Sequence, residues 1–219
     1  MNGILIIIRK EWRTFVGSDR GMFLLYAILI VSWSFMLANP STGPVETGPL
    51  WLVFFSVVIS ANFSNTVFIS ERLNGNLEIL LTSGIARKHI LFGKMIFIAG
   101  ISTLIGLVCI ALSAFLRSAV FHTTGSSTGP AEVLLYCCAV FMNTAGSAWL
   151  SVFMSNPRLL HLANLFTLAL LITAYMVISA YLPLPPETLS AVLVLLGIGA
   201  TIFAVRLYES EKILQPVNL

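Results

Sequence analysis

Charged residues are scarce in this chain of 219 residues, in which they make up 10% of the sequence while 58% of the residues are hydrophobic. A soluble globular domain carries about 25% charged residues, so the chain lacks the polar surface that a water-facing fold needs. This composition excludes a cytosolic enzyme of ordinary design, a disordered chain and a coiled coil. It predicts an integral membrane protein with little mass outside the bilayer.

Cysteine and histidine are also few, with three of each. Cys109, Cys137 and Cys138 all lie in apolar stretches, and their spacing matches neither a disulfide scaffold nor a C-x-x-C metal motif. The three histidines fall near predicted helix ends on opposite sides of the membrane. The sequence therefore predicts no metal site.

Six apolar stretches are long enough to cross a bilayer as helices, for which about 20 residues are needed. They comprise residues 21–38, 50–70, 90–116, 131–154, 159–182 and 189–205. Glycine and proline in the connecting segments stop the helices, and the runs are too long for strands of a transmembrane barrel. We predict an all-α membrane protein with six transmembrane helices in a single domain over residues 1–219.

Lysine and arginine are distributed unevenly about these spans. With six spans both termini lie on one side, and eleven of the twelve basic residues fall on that side, leaving only Arg117 on the other. The positive-inside rule then predicts a multi-pass protein of the inner or cytoplasmic membrane with both termini in the cytoplasm. No acid or base lies in the middle of a span, which argues against proton-driven or sodium-driven transport.

The N-terminal segment, residues 1–20, combines apolar and basic side chains at helical spacing. Its apolar stripe consists of Ile4, Ile8, Trp12 and Phe15. A helix with such a stripe and a basic opposite face is typical of the membrane interface. We expect Trp12 and Arg13 to anchor this interfacial helix to the lipid surface.

The segment between the second and third spans, residues 71–89, is longer than a connection requires. Its leucines recur at i, i+4, i+7 and i+8, namely Leu73, Leu77, Leu80 and Leu81. This spacing predicts a short amphipathic cytoplasmic helix. Since no soluble core is available to bury its apolar face, the segment is expected to dock onto a partner.

The segment also resembles a family signature. Glu71-Arg72, Gly75, Leu77-Glu78, Leu80-Leu81, Thr82-Ser83, Arg87 and Gly93-Lys94 are similar to the E-R-x-x-G-x-L-E-x-L-L-x-T/S…R…G-K pattern of type-2 ATP-binding cassette (ABC) transporter permeases. These are six-helix membrane subunits of exporters, and the resemblance extends over the whole chain. The chain departs from the family at Asn76, usually threonine, and at Gly84, usually proline.

The resemblance implies that residues 71–89 hold a coupling helix that sits in a cleft of an ATPase subunit. Glu71, Arg72 and Glu78 would then make polar contacts to the ATPase or hold the loop, and Gly75 would permit a tight approach. Leu77, Leu80 and Leu81 would supply an apolar knob. Arg87 would complete the coupling set and, together with Lys94, would anchor at the lipid headgroups.

ATP hydrolysis needs machinery that this chain lacks. The only Gly-Lys pair, Gly93-Lys94, is followed by Met95 and does not fit a phosphate-binding loop. Asp19 is the single aspartate. The chain is therefore not expected to be an enzyme or to hold a cofactor. The resemblance implies that ATP and Mg²⁺ are bound by two copies of a separate ABC ATP-binding subunit. It also implies a second permease in the bilayer, identical or related to this chain. No nucleic-acid partner is expected.

Polar side chains inside the spans mark either helix contacts or a substrate pathway. The pathway candidates are Asn62, Asn65, Asn143 and Ser147. Hydroxyls and amides without fixed charge favour an amphipathic substrate. Alternatives are a haem-exporter-type permease of cytochrome c maturation, a non-transporting scaffold subunit, or an intramembrane enzyme, for which few acids and histidines are available.

Overall fold

The computed structural model describes residues 3–17, 20–39, 48–69, 84–122, 129–153 and 185–209, with ten further positions between 159 and 177. Every regular element in these ranges is helical, which confirms the predicted all-α class for this part of the chain. The helices are α1, Gly3–Val16; α2, Arg20–Ala38; α3, Gly48–Ser64, followed by a π-helical turn at Asn65–Ile69; α4, Arg87–Ala119; α5, Pro130–Phe153; and α6, Pro186–Glu209.

Three helical segments are long and apolar enough to cross a membrane: Arg87–Ala119, Pro130–Val152 and Glu187–Tyr208. Two shorter helical segments, Phe23–Ala38 and Leu52–Phe68, are apolar as well. Large hydrophobic side chains lie exposed along α2, α4 and α6, as a lipid-facing surface requires. The architecture is that of a membrane-embedded helical protein. The count of six spans stays a prediction, because residues 159–182 lie largely outside the described part of the chain.

The helix α4 is longer than the apolar stretch that predicts it. It begins at Arg87 and ends at Ala119, three residues beyond residues 90–116 at either end. Hydropathy reports the lipid-facing length, whereas backbone hydrogen bonding continues into the polar layer. Before α4 the chain turns at Gly84, whose φ of +75° lies in the left-handed region that glycine adopts without strain.

The helix α4 lies at the centre of the bundle and contacts α1, α2, α3, the π-helical turn, α5 and α6. Its buried stripe runs along the whole helix and includes Ile90, Ile98, Ile101, Ile105 and Cys109. The helix α5 packs on its other sides against α3 and α6. Motion of α4 therefore displaces contacts with every other labelled helix.

Close approach of α4 and α5 depends on Gly106. A Cβ atom added there would overlap the ring of Tyr136, which is fully buried and donates a hydrogen bond of 2.8 Å from its hydroxyl to the Ser102 carbonyl. A second crossing joins α5 and α6, where a Cβ at Gly197 would lie 2.6 Å from the Phe141 ring. Glycine sets the distance between helices at both places.

We expect Gly106→Ala to lower the free energy of unfolding by about 2–3 kcal/mol, near the upper end of what overpacking costs, since the added Cβ would overlap a buried ring that has no space to move. Gly100→Ala on the same helix is the control, because a Cβ there meets nothing within 4 Å. Thermal unfolding in detergent measures both variants. Equal melting temperatures for the two would contradict the assigned crossing.

Candidate functional site

The residues predicted to dock onto an ATPase lie mostly outside the described part of the chain. These are Glu71, Arg72, Gly75, Leu77, Glu78, Leu80 and Leu81. Arg87 is described: it is the first residue of α4 and is half-buried. The roles assigned to this set stay predictions, and the structure bears instead on the two ends of the segment, at Ile69 and Gly84.

The helix α1 crosses α4 at Gly93, the glycine of the Gly93-Lys94 pair. A Cβ atom at this position would lie 2.7 Å from the Ile7 Cβ atom and 3.2 Å from the Ile4 carbonyl oxygen. The first distance is too short for any side chain and the second is tight, so glycine is what permits the approach. The predicted interfacial helix is thus packed directly onto the central helix of the bundle.

Lys94 follows at once and is buried completely. Its ammonium donates a hydrogen bond of 3.0 Å to the Val67 carbonyl, in the π-helical turn. The same Nζ atom lies 5.4 Å from the centroid of the Phe68 ring, within the range of a cation–π contact. Lys94 therefore does not extend to the lipid headgroups as predicted, because its side chain turns inward and finds its partners inside the protein.

Glu11 of α1 is buried as well, with 4% of its surface exposed. Its carboxylate attracts the Lys94 ammonium and pairs with Lys10, whose Nζ atom lies 3.1 Å from Oε1. Burial lowers the pKa of Lys10, although Glu11 acts in the opposite direction and Lys94 adds a smaller lowering. Two lysines and one glutamate, from α1 and α4, thus act on one another electrostatically.

Aromatic rings tie α1 to three further helices. The Phe15 ring lies 5.1 Å from Phe23 of α2, 5.6 Å from Phe63 of α3 and 6.5 Å from Phe97 of α4. Tyr26 and Phe63 stack face to face at 5.0 Å. Such pairs contribute about 0.5–1.5 kcal/mol each beyond the area that they bury. The helix α1 is therefore an integral part of the bundle.

The other two predicted anchors lie on the outside of α1. Trp12 is 53% exposed, and Arg13 is exposed as well. The buried face of the helix carries Ile7 and Glu11 instead. The helix thus presents one face to α4 and leaves Trp12 and Arg13 facing outward, where their anchoring role stays a prediction.

A cavity of about 220 Å³ lies between α3, α5, α6 and described positions of the fifth apolar stretch. Its polar lining consists of Ser60, Asn143, Ser147 and Thr167. The remaining lining side chains are apolar, among them Trp149 and Leu196, which are 38% and 52% exposed. Among the described residues, no charged side chain lines the cavity.

The cavity separates the four predicted pathway residues into two groups. Asn143 and Ser147 line it. Asn62 does not; its amide donates to the Val58 carbonyl of its own helix at 3.0 Å. Asn65 does not line it either and belongs to the π-helical turn.

Asn143 also joins two helices. Its Nδ2 atom donates to the Ser56 hydroxyl at 3.1 Å, and that hydroxyl donates onward to the Val53 carbonyl at 2.7 Å. Both residues are buried. A polar contact between α3 and α5 thus lies at the wall of the cavity, and it holds the two helices at a fixed separation.

Glu11 is absent from the residues singled out in the sequence, and Ser60 is absent from the predicted pathway residues. Glu11 stands four residues after Ile7, on the face that packs against α4, and this spacing is the only sequence signal for its burial. Ser60 stands four residues after Ser56 in the second predicted span, residues 50–70, and shares a helix face with it by this spacing. Neither position can be recognised without knowing which face of its helix is covered by protein.

No protein-family model and no curated protein matches this chain.

Proposed function

We propose that the chain is the membrane-spanning permease subunit of an ABC exporter, which moves an amphipathic substrate by alternating access while a separate subunit hydrolyses ATP. One observation carries the proposal furthest. In the last pair of the signature-like segment, Gly93 forms the joint between α1 and α4, and Lys94 joins α4 to the π-helical turn. Displacement of the segment between Ile69 and Gly84 would reach the central helix through this joint.

The proposed mechanism is mechanical. Two ATP-binding subunits close on ATP and Mg²⁺, and each pulls on the segment at residues 71–89 of one permease. The two permease copies, identical or related, then rock between inward-facing and outward-facing states. ATP drives the change because the closed subunits bind one conformation of the permease pair more tightly than the other.

The cavity supports an amphipathic substrate. Its apolar lining accommodates hydrocarbon, while the Asn143 amide and the Ser147 hydroxyl provide polar contacts without fixed charge. The exposed Trp149 and Leu196 lie at its wall on the outer, apolar surface of the bundle. A substrate that partitions into the membrane could approach from that side.

The test is recovery of the complex with a tagged full-length chain from its native membrane, followed by an ATPase assay. We expect Leu80→Asp to weaken association of the ATP-binding subunit by about 10–100-fold, because burying a leucine contributes about 1.5–3 kcal/mol. Coupled ATPase activity should fall in parallel. Glu71→Ala should reduce it less, since one polar contact is lost.

Leu214→Asp provides the matched control, as it places the same charge in the C-terminal segment that is predicted to be cytoplasmic. It should leave assembly and ATPase activity unchanged. The proposal is wrong if no ATP-binding subunit accompanies the wild-type chain, or if Leu80→Asp assembles and supports ATPase activity as the wild type does. A stable complex without any ATPase would favour the scaffold alternative.

A further inference from the structure

Lys94 occupies an unusual position for a lysine in an apolar helix. Its side chain has no exposed surface, whereas lysine is almost never buried fully unless it is paired. It lies on the buried stripe of α4, four residues after Ile90 and four before Ile98. A charge enclosed in this way is costly unless polar groups compensate it.

Two groups from different elements compensate the charge. The Val67 carbonyl of the π-helical turn accepts a hydrogen bond from Nζ at 3.0 Å, and a charge-assisted bond of this kind is stronger than one between neutral groups. The Glu11 carboxylate of α1, which is itself buried, attracts the same ammonium. The ammonium thus connects the end of α3, the centre of the bundle and the N-terminal helix.

We propose that Lys94 is a positioning residue that holds α1, the π-helical turn and α4 as one mechanical unit. Its hydrogen bond to Val67 fixes the turn at Asn65–Ile69. Its attraction to Glu11 holds α1 against α4, where the two helices cross at Gly93. The π-helical turn precedes residues 70–83 in the chain and α4 follows them, so the unit flanks that segment on both sides. Resting on the proposed function, the inference is that force on that segment moves α1 and α4 together with α3.

The attraction of Lys94 to Glu11 and its hydrogen bond to Val67 can be tested separately by substitution. If Lys94→Met is made alone, Glu11 keeps a buried carboxylate whose attraction to Lys94 is lost, and α1 should dissociate from α4 more readily. If Glu11→Gln is added, the buried carboxylate is gone, the Lys10 ammonium that it paired with is partly exposed and can be solvated, and α1 should dock again. The Val67 carbonyl lacks its donor in both variants, so the turn should stay loosened in both.

Docking of α1 can be measured by disulfide trapping in the full-length chain in nanodiscs. A Cβ atom at Gly3 would lie 3.4 Å from the His89 Cβ atom, close to the separation of about 3.5–4.5 Å found in disulfides. In a Gly3→Cys/His89→Cys background, we expect Lys94→Met to slow disulfide formation about tenfold, the factor that corresponds to 1.4 kcal/mol. The combination with Glu11→Gln should restore most of the rate.

Hydrogen exchange over residues 65–69 reports on the turn. It should accelerate in Lys94→Met and in the double variant but not in Glu11→Gln alone. Lys88→Met, at an exposed position of the same helix, is the control for both measurements and should change neither. If Lys94→Met does not fold, Glu11→Gln alone should still slow disulfide trapping without altering exchange over 65–69.

The inference is overturned if Lys94→Met leaves both readouts at the control level, or if Glu11→Gln adds a second independent loss. A purely packing role for Lys94 predicts that additive pattern. These measurements need no ATPase. If Glu11→Gln rescues Lys94→Met but no ATP-binding subunit assembles, the proposed function fails while the role of Lys94 stands. If the subunit assembles but Glu11→Gln does not rescue Lys94→Met, the inference about Lys94 fails alone.

Discussion

Replacing Gly93 by leucine is expected to push α1 away from α4. The first added carbon atom would already lie 2.7 Å from the Ile7 Cβ atom, and the rest of the side chain has no space at the crossing. We expect a loss at or above the upper end of the 1–3 kcal/mol that overpacking usually costs. Since α1 contains Arg9, Lys10 and Arg13, limited trypsin digestion would detect its release from the bundle.

Gly100→Leu is the matched control for this change. It places the same side chain on the same helix, two turns further on, where an added Cβ meets nothing within 4 Å. It should leave α1 protected from trypsin. Adding Ile7→Ala to Gly93→Leu should restore part of the protection by making room at the crossing. If Gly93→Leu and Gly100→Leu are digested alike, α1 does not pack on α4 as described.

A carboxylate at position 143 should be among the most disruptive single changes in the bundle. Asn143 lies near the middle of α5, and Asn143→Asp would place a charge there at a cost of about 2.5–3.5 kcal/mol on insertion scales. It would also remove the amide that donates to the Ser56 hydroxyl. We expect a melting temperature well below that of the wild type and poor recovery from the membrane.

Asn143→Leu separates charge from hydrogen bonding at the same position. It removes the bond to Ser56 without introducing a charge, and interhelical polar contacts in membranes contribute about 0.6 kcal/mol on average. Its melting temperature should therefore stay close to that of the wild type. Comparable losses in the two variants would show that the hydrogen bond, rather than the absence of charge, is what the position requires. A folded Asn143→Leu that no longer supports export would favour the pathway role.

The helical character of the chain could be predicted because a long apolar segment in lipid must satisfy its backbone hydrogen-bonding groups without water. Only a helix satisfies its own backbone groups within a single segment, so residues 90–116 had to belong to a helix such as α4. The first and last residues of the helix could not be predicted as closely. The backbone of Arg87 is as helical as that of Ile90, and nothing in hydropathy marks where a helix ends outside the apolar layer.

The inward orientation of Lys94 could not be predicted for a related reason. A lysine five residues inside an apolar stretch is expected to extend toward the headgroups, and α4 is apolar on every side, so its sequence does not reveal which face is covered. The outcome depends on the rotation of α4 about its axis. That rotation follows from Gly93 and from the packing of α1, whose own buried face includes Glu11 rather than Trp12.

The residues that line the cavity could be predicted from the sequence only in part. Asn143 and Ser147 share one face of α5 by their spacing of four residues, and both line it. Asn62 satisfies its amide within α3, which a count of polar residues cannot foresee. Side chains with hydroxyl or amide groups can lie within a membrane-spanning helix at little cost when they bond to a carbonyl of the preceding turn. Polarity alone therefore does not identify a substrate pathway.

The π-helical turn at Asn65–Ile69 changes how the second span should be compared with other sequences. A π-helical turn closes its hydrogen bonds over one residue more than an α-helix does, and each residue of an α-helix advances by about 100° around the axis. A helical wheel drawn through Ser56, Ser60 and Ser64 is therefore out of phase by the time it reaches Ile69. An alignment without a gap to a span that is α-helical throughout would mismatch the faces at the end of the turn, and deletion of one residue within the turn is the change that would bring the two phases together.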